Sequence, residues 1–180
     1  MKAPEFGYLR ADSMAGAVAA LAAHPEAMLL AGGQSLMAML NMRLAAPSHL
    51  IDISRLAELR GASLSGDVLR LGALTRHADL LASAEVAGAA PMLAKAAAAL
   101  AHPALRNRGT IGGSLALADP AAELPACVLA LDGAIEATGP GGARRIAAAD
   151  FFQGPFETAL APGELLTAVE VPRPADDAIW

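Results

Sequence analysis

Met28–Leu40 reads MLLAGGQSLMAML. A short apolar run, Met28 to Ala31, is broken by Gly32-Gly33-Gln34-Ser35, and apolar residues then return at helical spacing from Leu36 to Leu44 before Pro47. The unit is strand, glycine turn, helix. His49 to Ser54 (HLIDIS) reads as a second buried strand, and the right-handed crossover preference sets it parallel to the first. Upstream, Ser13 to Ala23 is an alanine-rich helix with Ser13 as N-cap, stopped by His24-Pro25. Residues 1–55 are thus expected to form a small α/β lobe with parallel strands.

Beyond Leu56 the texture changes. Gly61 to Ser65 and Val68 to Leu71 flank Ser65-Gly66-Asp67, a hairpin signal. Thr75 to Ser83 and Ala89 to Ala101 are helical patterns, the second ended by His102-Pro103, and Pro125 to Leu131 fits a short buried helix. Ala134 to Thr138, Arg144 to Ala148 and Leu165 to Val171 read as strands. Residues 56–180 are expected to form a second, larger lobe with an antiparallel sheet and helices, making the fold class α+β.

Composition narrows the function. The 180 residues are 55% hydrophobic, enough for a packed core, and no run approaches the ~20 apolar residues that span a bilayer. The start, Met1-Lys2-Ala3-Pro4-Glu5-Phe6, lacks the apolar segment of a secretory signal, so the expected location is cytoplasmic. A net charge of −5 with scattered Lys and Arg argues against nucleic acid. Cys127 is the one cysteine and cannot supply an iron–sulfur or zinc thiolate set, so any such centre belongs to another chain. His24, His49, His77 and His102 show no ligand spacing and are read as surface or helix-end residues. Met28, Met37, Met39 and Met42 are read as core filler.

Two segments could carry chemistry. Leu29-Leu30-Ala31-Gly32-Gly33-Gln34-Ser35-Leu36 places two glycines at a strand-to-helix turn, where backbone N–H groups can converge on a phosphate and a Cβ would block its approach. The same pair also fits a tight turn with no ligand, and it matches neither the dinucleotide fingerprint nor the Walker loop. Arg106 to Ala116 (RNRGTIGGSLA) repeats the Gly-Gly pair between hydroxyls, so two loops could clamp one diphosphate. Arg106 and Arg108 read as solvated loop arginines. Asp119 and Glu123 are either acceptors for ribose hydroxyls or a helix cap and a solvated carboxylate.

Together AGGQSL (Ala31 to Leu36) and RNRGTIGGSLALADPAAELP (Arg106 to Pro125) resemble the FAD-binding subunits and domains of molybdenum hydroxylases, the xanthine dehydrogenase and carbon monoxide dehydrogenase family. The resemblance extends from Pro4-Glu5-Phe6-Gly7-Tyr8 to Gly163-Glu164-Leu165-Leu166. It implies a two-lobed fold with FAD in the cleft between the lobes. Leu29, Leu30, Ala31, Gly32, Gly33, Gln34, Ser35 and Leu36 would form one diphosphate loop, and Thr110, Ile111, Gly112, Gly113 and Ser114 the other. Glu123 would hold the adenosine ribose with Asp119 nearby, and Leu100 and Leu166 would line the flavin. Ser114 replaces a frequent Asn, and Leu100 stands where some relatives carry an aromatic residue. A further C-terminal domain is usual in the family, so the chain is expected to be a truncated or fragmentary subunit.

The implied function is an oxidoreductase subunit passing electrons from iron–sulfur clusters through FAD to NAD, a quinone or O2. Its implied partners are a molybdenum-cofactor large subunit and a two-iron two-sulfur small subunit, with no catalytic acid or base required of this chain. The alternatives are a self-contained FAD-dependent oxidase and a scaffold subunit that has lost FAD.

Overall fold

The computed structural model describes residues 2–173; Met1 and Trp180 of the sequence reading lie outside the described residues. The first sheet comprises β1 (Gly7–Arg10), β2 (Met28–Leu30) and β3 (His49–Asp52), in the order β1-β3-β2 with both pairings parallel. Its crossovers are α1 (Met14–Ala23) and α2 (Leu36–Asn41). Ser13 caps α1 as expected, its Oγ accepting from the Gly16 N–H at 3.0 Å. β3, with Leu50 and Ile51 buried, is the central strand, which explains its unbroken apolar texture. β1 was not anticipated from sequence: it is a half-exposed edge strand, and Tyr8 and Leu9 are exposed.

The second sheet is antiparallel in the order β4-β5-β10-β6-β7, built from β4 (Ala62–Ser65), β5 (Val68–Gly72), β6 (Ala134–Gly139), β7 (Gly142–Ala147) and β10 (Leu165–Pro172). A small hairpin, β8 (Phe152–Gly154) with β9 (Glu157–Thr158), follows α9 (Ala148–Phe151). Helices α3 (His77–Ala82), α4 (Ala84–Ala89), α5 (Pro91–Ala99), α6 (Pro103–Arg106), α7 (Ile111–Leu117) and α8 (Glu123–Ala130) complete the chain. The expected Ala89-to-Ala101 helix is therefore shorter, because Pro91 sits in its first turn and α4 ends just before it.

Two apolar cores form. One joins β5, β6 and β10 to α3, α4, α5, α7 and α8, with Phe151 fully buried. The other lies under the parallel sheet and draws Leu56, Leu59, Leu74 and Leu165 from later in the chain. The methionines correct the sequence reading: Met28, Met37 and Met42 are exposed. α2 is six residues long and buries only Leu40, so its other apolar residues face the surface or the cleft described below.

Candidate functional site

The two glycine segments meet at the junction of the two sheets. Gly32 packs so closely on the Arg108 backbone carbonyl that an added Cβ would collide with it. Gly112 in turn lies against Ala73, whose Cβ would stand 2.7 Å from an added one. The connection after β5 holds the second segment in place: the Gly112 N–H donates to the Ala73 carbonyl at 2.9 Å, the Ile111 N–H to Thr75 at 3.0 Å and the His77 N–H to Gly109 at 2.9 Å. These glycines are thus required by backbone-to-backbone packing, a reason that acts in the protein without any ligand.

Donor availability distinguishes the two segments. In the second, the Ile111 and Gly112 N–H groups are bonded as above, and the Gly113 N–H donates to Thr110 Oγ1 at 3.2 Å, because Thr110 is the N-cap of α7. In the first, the backbone N–H groups of Gly32, Gly33, Gln34, Ser35 and Leu36 have no acceptor among the described residues. The loop's internal bonds use its carbonyls instead: Met37 N–H donates to Gly33 O at 3.1 Å, and Gln34 Nε2 to Gly32 O at 2.9 Å. Gly33 has φ +71°, a left-handed conformation of the kind that anion nests use.

The residues of this loop edge a cleft of about 480 Å³, within the range of small-molecule sites. Of the expected site residues, Leu29, Ala31, Gly32, Gly33, Gln34, Ser35, Leu36, Thr110, Gly112, Gly113, Ser114, Asp119 and Leu166 line it. Leu30, Leu100, Ile111 and Glu123 do not: Ile111 is fully buried, Leu100 is in the larger core, and Glu123 is exposed in the first turn of α8. Asp119 Oδ1 accepts from the Ala121 N–H at 2.9 Å, so it makes a local turn while bordering the cleft.

His77 and Ala73 also line the cleft, and neither was singled out as a site residue by the sequence reading. Nothing in the spacing around His77 marks it, since it enters the cleft by the fold of the segment after β5. Its ring bonds the Thr110 backbone, and Nε2 is buried without a partner, which leaves Nδ1 as the bonded atom. Burial holds the imidazole below the ordinary histidine range, against the opposing pull of the Thr110 bond and Glu123. His77 is therefore neutral near pH 7 and presents an acceptor nitrogen.

Arg106 also departs from expectation. Its Nη1 donates to the carbonyls of Ala98, Leu100 and Ala101 at 3.1, 2.7 and 3.1 Å, so it braces the end of α5 and is not a solvated loop residue. No group of three or more potential metal ligands occurs among the described residues. No described helix is long and apolar enough to cross a membrane.

Residues 4–174 match the family described as the FAD binding domain in molybdopterin dehydrogenase. The chain is 46% identical over 174 residues to the 6-hydroxypseudooxynicotine dehydrogenase complex subunit alpha of Paenarthrobacter nicotinovorans, covering 96% of this chain and 59% of that protein. It is 42% identical over 170 residues to the carbon monoxide dehydrogenase medium chain of Afipia carboxidovorans, covering 94% and 59%. Carbon monoxide dehydrogenase from Hydrogenophaga pseudoflava superposes with a TM-score of 0.95 at 42% identity, over 98% of this chain and 62% of that one. The chain thus spans about three-fifths of the length of these relatives.

Proposed function

The chain belongs to the FAD binding domain family of molybdopterin dehydrogenases, and from that premise we propose that it is the FAD-holding part of an oxidoreductase subunit in a molybdenum hydroxylase. The observation that carries the reading is the row of N–H groups without acceptors among the described residues on Gly32 to Leu36, all of which line the cleft. Such a row suits a diphosphate, whose charge it can take without a counter-ion. The FAD-contacting set is then Leu29 to Leu36 on one wall and Thr110, Gly112, Gly113 and Ser114 on the other, with Asp119 and Leu166 farther along. Glu123, Leu100, Leu30 and Ile111 act behind that surface, or at its rim. We also propose the lobe division at residues 55 and 56.

The two segments divide the work unequally in this reading. The first donates N–H groups to phosphate, and the second braces it through the Gly32–Arg108 contact while offering side chains and Cα surfaces to the cleft. When bound, FAD supplies reversible redox chemistry between iron–sulfur clusters on a partner chain and a terminal acceptor, NAD, a quinone or O2. What this chain contributes is position, exclusion of water and the fixed dipoles of the loop. Its partners are a molybdenum-cofactor large subunit and a two-iron two-sulfur small subunit, and its place is the cytoplasm.

The test is the absorption spectrum of the purified full-length protein, followed by release and identification of the nucleotide. Flavin bands with FAD near one equivalent per chain are expected. Protein that stays colourless after incubation with FAD and its partner subunits overturns the reading in favour of a scaffold role.

A further inference from the structure

Behind the glycine junction lies a second cleft, of about 460 Å³, that shares Ala31, Gly32, Leu74 and Thr110 with the first. Its remaining lining is Ser54, Arg55, Arg60, Arg76, Asn107 and Arg108, with no Asp or Glu. The four arginines come from separate places: the exit of β3, the turn after Leu59, the start of α3, and the loop before Gly109. None of them forms an ion pair among the described residues, where the ion pairs use Arg70, Arg144 and Arg145. Arg60 is anchored by a hydrogen bond to the Ser54 carbonyl. The carboxylates within three residues of these arginines each have a hydrogen-bond donor already: Asp52 accepts from the Tyr8 hydroxyl at 2.6 Å and the Ser54 N–H at 2.8 Å, Glu58 from the Met14 N–H at 3.1 Å, and Asp79 from the Arg76 backbone N–H at 3.1 Å.

Four like charges gathered in one concavity repel each other, and the chain as a whole carries a net charge of −5. Self-repulsion of that kind is relieved by a ligand bearing several negative charges. Guanidinium groups match phosphate oxygens in paired hydrogen bonds, and their summed field raises the local concentration of anions. The cleft has the volume of a small-molecule site. A protein partner would instead use a broad patch of ~800 Å² on each side.

We propose that this cleft is a binding site for a small phosphorylated ligand carrying two or more phosphate charges, separate from the FAD cleft and divided from it by Gly32 and Thr110. Arg55, Arg76 and Arg108 grip the phosphates, Arg60 is pre-positioned by Ser54, and Asn107 adds a neutral donor. A ligand seated there lies on the far side of Gly32 and Thr110, which line both clefts.

The test is calorimetric titration of the full-length, FAD-loaded protein with inorganic pyrophosphate, repeated on the Arg55→Gln/Arg108→Gln variant and with succinate in place of pyrophosphate. One equivalent of pyrophosphate is expected to bind. Its affinity should fall by about 10-fold or more in the variant, weaken with added salt, and exceed that for succinate, while the flavin absorbance stays constant. The proposal is overturned if pyrophosphate does not bind, if it binds parent and variant alike, if succinate binds equally well, or if FAD is released in step with binding. That last result would give the arginines to the cofactor's own diphosphate. Failure of the cofactor reading shows separately, as protein colourless before titration, and the heats then decide the arginine cleft on the apoprotein.

Discussion

The backbone carbonyl of Arg108 stands where a Cβ on Gly32 would have to be. This contact joins the loop of the parallel sheet to the segment that precedes α7, and it involves backbone on one side, so no rotamer change can relieve it.

Gly32→Ala should therefore part the two loops. Forced overpacking costs about 1–3 kcal/mol, and a rigid backbone neighbour puts this site toward the upper end. We expect a lower denaturant midpoint together with loss of retained FAD. An Ala variant as stable as the parent would show that the loops separate freely and that the contact braces nothing.

Arg106 and Arg108 are two residues apart and should respond differently. Arg106→Ala removes charged donors from three carbonyls at the end of α5, a loss of about 1–3 kcal/mol. Arg108→Gln touches only exposed guanidinium and should stay within about 0.5 kcal/mol of the parent. Chemical denaturation of both variants checks the contrast; equal losses would contradict the assignment of Arg106 as the strut.

Acid should destabilise the fold in two stages. The His77 imidazole is held low chiefly by burial, so the unfolded chain takes a proton first. Its contribution is complete above the ordinary histidine value of about 6.5 and is lost as pH falls below it. Glu136 and Glu164 are held low chiefly by hydrogen bonds from Arg70 and Arg144, against the upward push of burial. Their contributions are present above the ordinary glutamate value of about 4.3 and disappear as pH drops through their lowered values. Stability measured from pH 8 to 3 should fall in both windows. His77→Asn should flatten only the upper one and Glu136→Gln only part of the lower; a His77→Asn profile parallel to the parent's throughout would refute the first stage.

Although it missed β1, α4, α6, α7, α9 and the β8–β9 hairpin, the sequence by itself determined most strands of both sheets, the parallel character of the first sheet, the antiparallel character of the second, and the two glycine segments as the places to look. Those features are local: apolar period, caps such as Ser13, hairpin glycines and helix-stopping prolines act through neighbours in the chain. The family resemblance was legible for the same reason, since its diagnostic strings are contiguous. Tertiary structure alone decided the rest. It packed Gly32 on Arg108 and Gly112 on Ala73 and occupied the N–H groups of the second segment. Those of Gly32 to Leu36 it left without acceptors. It also brought His77 to the cleft, set Arg106 against three carbonyls and gathered Arg55, Arg60, Arg76 and Arg108 around one hollow. Each is a contact between residues far apart in sequence, and no periodicity encodes which carbonyl will meet a given N–H, or which charges will share a cleft, until both sheets have closed on each other.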